Sequence, residues 1–116
     1  GDIKQLKRSL VRNNILVLLS DQDAKKRGVK VKFFEIDSST HSGAAILSKR
    51  NKSPIIYASI TFKNNIYEVE FVNIDTSGSI NDIVQQYTSE IEKTIINNPE
   101  QYFWFHKRWK SVRSYQ

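Results

Sequence analysis

The feature that most constrains the fold is a run of five consecutive apolar residues at positions 15–19, Ile-Leu-Val-Leu-Leu. Such a run is typical of a strand that is buried on both faces, within a sheet covered by helices. The polar residues 20–23, Ser-Asp-Gln-Asp, follow directly. Ligand-binding residues collect at the carboxyl ends of strands in α/β sheets. The sequence therefore predicts a buried strand that leads into a candidate site.

Periodicity along the rest of the chain predicts an α/β domain. Apolar spacing indicates helices over 3–12, 43–51 (capped by Ser42 or Thr40) and 80–97. Alternation indicates a strand over 29–34, followed by a polar loop over 35–41, and a hairpin of 55–62 with 66–74 around Asn64 and Asn65. The order α-β-β-α-β-β-α predicts a single domain over 1–116, with a mixed sheet and flanking helices. A strand buried within a sheet needs neighbours on both sides, and the chain supplies only about four strands. We therefore interpret the sheet as half of a larger one.

Composition excludes several classes of site. The chain has no cysteine, which excludes disulfides, thiolate metal sites and a cysteine nucleophile. It has two histidines, no stretch long and apolar enough to span a membrane, and no nucleophile elbow, Walker A loop or dinucleotide fingerprint. We expect neither a metal nor a cofactor.

Charge is divided unevenly along the chain. The net charge of +6 consists of +7 over residues 1–52, −5 over 53–100 and +4 over 101–116. Basic surfaces suit a phosphate-rich partner, which includes nucleic acid, an anionic membrane and a phosphorylated substrate or carrier. The same charges also suit a merely solvated face.

Three groups of residues carry candidate chemistry. Asp21 and Asp23 suit a hard cation or a base-orienting role, or they cap local backbone N–H groups in a turn. His41 lies at a predicted helix N-terminus, where anions bind, or it is an exposed loop residue. Residues 102–109 interleave aromatics with cations, a pattern that suits base stacking, a membrane interface, or packing of the chain end onto the core.

Four blocks of the chain occur in a characteristic order. They are Leu-Leu-Ser-Asp-Gln-Asp at 18–23, Gly-Val-Lys-Val-Lys-Phe-Phe at 28–34, Thr-His-Ser-Gly at 40–43 with its helix and Ser-Pro-Ile-Ile at 53–56, and Asn-Asn-Pro-Glu-Gln-Tyr-Phe-Trp-Phe-His-Lys-Arg-Trp-Lys at 97–110. Together they resemble the bacterial lipid A biosynthesis acyltransferases, the lauroyl and myristoyl transferases of late acylation. Two positions depart from the family pattern: Glu35 stands where glycine is usual, and Asp37-Ser38 replaces Pro-Ala.

The resemblance implies the C-terminal portion of a glycerolipid-acyltransferase-like fold. It implies an enzyme at the cytoplasmic face of the inner membrane that moves a fatty acyl chain from acyl carrier protein, or another acyl thioester, to a hydroxyacyl group of a lipid A precursor glycolipid. The partners implied are that donor, that acceptor and the membrane surface, with no nucleic acid. The substrate-binding residues implied are Asp21, Gln22, Asp23, Lys25, Lys26, Arg27, His41, Gln101, Trp104, His106 and Arg108.

No catalytic residue carries over from the family. Its motif is His-x-x-x-x-Asp/Glu, in which the histidine is the general base. Five residues after His41 stands Ile46, and five after His106 stands Ser111. We therefore expect the motif upstream of residue 1, and an inactive C-terminal fragment that is soluble by itself. Two alternatives stay open: a small basic nucleic-acid-binding module and a non-catalytic interaction domain. An uncovered sheet edge would also allow a homodimer.

Overall fold

The computed structural model describes residues 3–102 and 106–112. Its helices are α1 (Ile3–Val11), α2 (Gly43–Asn51) and α3 (Ile80–Asn97), and its strands are β1 (Val29–Phe33), β2 (Ile36–Thr40), β3 (Ile55–Lys63) and β4 (Ile66–Ile74). Short 3₁₀ turns cover Lys25–Arg27 and Pro99–Gln101. The predicted α/β class is confirmed. Within the described residues, none of the helices has both the length and the apolar character needed to cross a membrane.

Helix α3 organises the core, and its sequence explains both of its ends. Ser79 Oγ accepts a hydrogen bond from the backbone N–H of Asp82, and the Asp82 carboxylate accepts one from the N–H of Ser79, which forms a capping box. Asn98 and Pro99 then end the helix. Its buried stripe packs with β1, α2 and β4 in one cluster, formed by Val31, Ala45, Ile74, Ile83, Val84 and Tyr87.

Strands β1 and β2 form an antiparallel hairpin, so the predicted polar loop over 35–41 is wrong for residues 36–40. The serine and threonine side chains that suggested a loop are buried instead. Ser38 Oγ donates to the carbonyl of Ile36, and Ser39 Oγ donates to that of Lys25. A hydroxyl can be buried at small cost when it is hydrogen-bonded, so polar composition alone did not reveal the strand.

The turn of this hairpin places two ordinary side chains in the left-handed region. Phe34 and Glu35 have φ values of 50° and 60°. Glycine adopts this conformation without the steric cost that other residues meet, although it loses more chain entropy on folding.

We expect Glu35→Gly to raise the free energy of unfolding by about 0.5–1 kcal/mol, measured by urea denaturation. Glu68→Gly, within a strand, should lower it, and a loss of stability in Glu35→Gly would contradict the turn geometry.

Strands β3 and β4 form the predicted hairpin, with Ile55 opposite Ile74 and Lys63 opposite Ile66. Asn64 and Asn65 have φ values of 51° and 62°, as a two-residue type I′ turn requires. The two hairpins belong to separate two-stranded sheets. The strands therefore form two antiparallel pairs instead of the single mixed sheet that the sequence predicted.

The predicted buried strand over residues 15–19 is also wrong. These residues form no strand, and Ile15, Val17 and Leu19 are 93%, 79% and 88% exposed. A strand needs a neighbour for its backbone hydrogen bonds. Among the described residues, β3 pairs only with β4 and β1 only with β2, so the apolar run has no strand beside it.

Candidate functional site at the Asp21–Asp23 turn

The C-terminal segment returns to the turn formed by residues 21–23. The backbone N–H of Asp23 donates to Nε2 of His106 over 3.0 Å, so this imidazole nitrogen acts as an acceptor. The Tyr102 hydroxyl donates to the carbonyl oxygen of Asp21 over 3.2 Å. Two sequence blocks some eighty residues apart therefore meet at one place, and we call residues 106–112 the C-terminal strap.

The Asp23 carboxylate is the centre of this contact, although it is only 6% exposed. Oδ2 accepts from the backbone N–H of Ser111 over 3.0 Å, and Oδ1 accepts from Ser111 Oγ over 2.7 Å and from the N–H of Lys25 over 2.8 Å. Burial raises the pKa of Asp23, but these hydrogen bonds and the charge of Arg108 outweigh it and lower the pKa overall. The carboxylate is therefore ionised at neutral pH.

Arg108 fixes the strap to the β1–β2 hairpin. Its side chain is 2% exposed, with Nη1 donating to the carbonyl of Ser39 over 2.8 Å and Nη2 to Thr40 Oγ1 over 2.5 Å. The guanidinium carbon lies 5.1 Å from the centre of the Phe33 ring, and the Trp109 ring lies 5.3 Å from the same ring. Cation–π contact and aromatic packing therefore add to the hydrogen bonds.

Gly28 allows the 3₁₀ turn to lie against β2. A Cβ atom at this position would stand 2.3 Å from Ser39 Oγ and 2.6 Å from the Cβ of Ala24. Only glycine permits so close an approach. Just upstream, Asp23 forms a β-bridge with Thr40 and the N–H of Ala24 donates to the carbonyl of Ser39. The backbone around Asp23 is thus held from two sides.

A groove of about 700 Å³ opens beside this turn. It is lined by residues 15–21, by most of β3, by Phe71 of β4, by parts of α2 and α3, and by Gln101 and Tyr102. Most of its wall is apolar; the aliphatic side chains include Leu16, Leu18, Leu47, Ile55, Ile91 and Ile95. The Tyr57 hydroxyl pairs with Thr94 Oγ1 over 2.8 Å, and burial raises the pKa of Tyr57, which keeps this hydroxyl neutral. The groove is therefore mostly apolar, and polar groups such as those of Asp21 and Tyr102 form part of its wall.

The structure brings some of the candidate residues together and separates others. Those in the interlocked cluster are Asp21, Asp23, His106 and Arg108. Those exposed next to it are Gln22, Lys25, Lys26 and Arg27. His41 has an exposed side chain, is not among the groove residues, and its carbonyl accepts the hydrogen bond of Tyr87. Trp104 lies outside the described residues.

Gln101 has a definite backbone partner. Its amide accepts from the N–H of Phe62 over 2.8 Å and donates to the carbonyl of the same residue over 3.0 Å. Gln85 and Gln86 on α3 bind the backbone of Lys32 and Asp75 in the same two-point way. These glutamine contacts were not predicted, because they depend on tertiary placement that no local pattern encodes. Ser111, which binds Asp23, gave no sequence signal either.

Metal ligation has little support in this geometry. Across residues 3–102 and 106–112, no three histidine or carboxylate side chains are grouped so that they could hold a metal ion. The Asp23 oxygens bind backbone and hydroxyl donors of the protein itself. In this structure Asp23 therefore caps backbone N–H groups in a turn, which is the second of the two roles that the sequence suggested.

Comparison with protein families gives a match over nearly the whole chain. A family model described as bacterial lipid A biosynthesis acyltransferase matches residues 1–111. None of the curated proteins compared with the chain matches it. The family match covers both the Asp21–Asp23 turn and the strap through Ser111.

Proposed function

The chain belongs to the bacterial lipid A biosynthesis acyltransferase family, and from this membership we propose that it is the C-terminal part of an enzyme that acylates a lipid A precursor. The donor is acyl carrier protein or another acyl thioester, and the acceptor is a hydroxyacyl group on the precursor. The observation that carries the proposal is the mostly apolar groove, whose wall also includes the polar groups of Asp21 and Tyr102. Such a site suits an amphiphile, with its hydrocarbon in the groove and its polar part at the turn.

The basic turn next to Asp23 supports the position proposed for the polar part of the amphiphilic substrate. Lys25, Lys26 and Arg27 are exposed and adjacent in one 3₁₀ turn. Their charges attract the phosphates of a lipid A precursor or the acidic surface of a carrier protein. From the family membership we propose that the enzyme lies at the cytoplasmic face of the inner membrane.

The catalytic base is proposed to lie on a part of the acyltransferase other than these 116 residues. Neither histidine is followed five residues later by a carboxylate. In addition, Nε2 of His106 accepts a hydrogen bond from the backbone N–H of Asp23. This nitrogen is therefore already engaged within the protein and does not serve as the catalytic base. We therefore assign residues 1–116 to substrate binding and propose that they do not transfer acyl groups alone.

The nucleic-acid alternative loses support from the packing of the strap. Trp109 packs on Phe33, and Arg108 is buried against β2. An aromatic ring must be accessible to stack on a base. In the strap, Lys107 and Lys110 are the cations that remain exposed.

We expect the isolated chain to bind a myristoyl donor but not to transfer its acyl group. Binding is measured by equilibrium dialysis with radiolabelled myristoyl–acyl carrier protein, and transfer by thin-layer chromatography after incubation with a lipid A precursor. Ala44 lines the groove, so Ala44→Phe should fill it and raise Kd by about tenfold, which is 1.4 kcal/mol. Ile96→Phe, at an exposed position of α3 away from the groove, is the control. Transfer by the chain alone would contradict the assignment of catalysis elsewhere, and equal binding by both variants would contradict the groove.

A further inference from the structure

Helix α1 and the turn after it present a row of positive charge to the solvent. Lys4, Lys7, Arg8 and Arg12 follow the spacing i, i+3, i+4 and i+8, which places all four on one face of a helix. The backbone N–H of Arg12 donates to the carbonyl of Arg8, so the helical geometry extends to this residue. All four side chains are exposed, and together with Val11 they line an open hollow of about 320 Å³. We call these five positions the cationic stripe.

The opposite side of α1 is the one that packs on the protein. Leu6 and Leu10 are half-buried, and α1 lies against α2. No aspartate or glutamate occurs between residues 3 and 20. Taking cations out of water costs free energy that only paired acidic groups offset. The stripe therefore does not suit burial against an apolar protein face, whether of a second copy or of another part of the acyltransferase, and it suits a surface of negative charge.

Apolar side chains at the stripe favour a lipid bilayer over an acidic protein as that surface. Val11 within the stripe is 74% exposed, and Ile15, three residues after Arg12, is 93% exposed. At a membrane–water interface, cations meet the headgroups while neighbouring apolar side chains reach the boundary of the acyl chains. Against the acidic surface of a carrier protein, the same apolar side chains would face charged groups.

We infer that the cationic stripe rests on the anionic surface of a phospholipid bilayer, with headgroup phosphates against its four cations. About four to eight clustered cations are typical of segments that bind anionic lipid surfaces. Leu10 and Ile15 line the groove, so the contact places the bilayer beside one wall of it. A lipid in that bilayer then has its hydrocarbon close to the groove. This last step rests on the proposed function, because it takes the groove as the place of the acyl chain.

The test is co-sedimentation of the wild-type chain with vesicles. We expect the chain to bind vesicles of phosphatidylglycerol and phosphatidylcholine, and to stay in the supernatant with phosphatidylcholine alone. Added salt should weaken the binding steeply, since the Debye length falls from about 10 Å at 0.1 M to about 3 Å at 1 M. Lys7→Gln/Arg8→Gln should raise Kd about thirtyfold, which is about 2 kcal/mol, because two of the four cations are lost.

Lys30→Gln/Lys63→Gln is the matched control. These two lysines are exposed on β1 and β3 and do not line the hollow. Their substitution removes the same two positive charges from the chain, so this variant should bind anionic vesicles as the wild type does. Circular dichroism melting establishes that both double variants are folded, which exposed positions allow.

Three results would overturn the inference. The first is a wild-type chain that does not bind anionic vesicles, or that binds phosphatidylcholine equally well. The second is equal weakening in both double variants, which would make net charge and not the stripe responsible. The third is a Lys7→Gln/Arg8→Gln chain that still binds vesicles but loses unacylated acyl carrier protein or a DNA oligonucleotide.

Vesicle binding is measured without an acyl donor or a lipid A precursor. Its failure therefore leaves the groove and the proposed function standing. Conversely, equal donor binding by Ala44→Phe and its control would contradict the groove and leave the vesicle result unchanged.

Discussion

Arg108→Met is expected to lower the free energy of unfolding by about 3 kcal/mol, since breaking a buried charged network costs about 3–5 kcal/mol. Methionine keeps the volume of the side chain but removes both guanidinium donors. The carbonyl of Ser39 and the hydroxyl of Thr40 then lose their partners in a buried environment. Urea denaturation followed by circular dichroism measures the change.

Lys110→Met is the matched control, because Lys110 is exposed on the same strap and a surface substitution should change stability by less than about 0.5 kcal/mol. Hydrogen exchange gives a second readout: in Arg108→Met the amides of Asp23 and Ser111 should lose protection. A variant as stable as the control, with those amides still protected, would contradict a strap held by Arg108.

Asp23→Asn is expected to cost about 2 kcal/mol at neutral pH, because hydrogen bonds to a charged acceptor are worth about 1.5–3 kcal/mol. Asparagine removes the negative charge near Arg108 and replaces one acceptor oxygen with a donor that faces other donors. The backbone of Ser111 and the backbone of Lys25 both donate to this carboxylate, so one of them must lose its bond.

The cost of this substitution should depend on pH. The pKa of Asp23 in the folded chain lies below its ordinary value of 3.8. Its carboxylate therefore contributes stability that is present above pH 3.8 and is lost as the pH falls through the folded pKa. Wild type and Asp23→Asn should then differ most near neutral pH and converge below about pH 3.8.

Asp37→Asn serves as the control for the pH series. Asp37 pairs with Lys32 over 2.6 Å at an exposed site, where an ion pair contributes little. Its substitution should leave the unfolding midpoint in urea nearly unchanged. A difference between wild type and Asp23→Asn that does not vary with pH would show that the charge of Asp23 is not what holds the strap.

The sequence predicted the elements that local signals define. Helix α3 has a capping serine, a regular apolar stripe and a terminating proline, and the β3–β4 hairpin has two alternating runs around Asn64 and Asn65. These features depend on neighbours within a few residues. Periodicity and turn chemistry therefore sufficed to find them.

Elements that depend on distant partners were predicted less well. Residues 15–19 have the composition of a buried strand, but among the described residues no strand pairs with them. In β2 the serine side chains are buried because they are hydrogen-bonded, which composition does not reveal. At the site, Asp21, Asp23, His106 and Arg108 were singled out from sequence blocks. Their mutual contacts, and the part played by Ser111 and Gly28, required the tertiary structure.

The most direct test of the account is to locate the acyl chain on the protein. Myristoyl–acyl carrier protein with a diazirine on the acyl chain is bound, irradiated and digested, and the labelled residues are identified by mass spectrometry. We predict labels on residues 16–20 and on Ile91 and Ile95, which line the groove, and loss of these labels in Ala44→Phe. Labels confined to Tyr67 and Val69, which do not line the groove, or equal labelling in Ala44→Phe, would contradict the groove as the acyl-binding site.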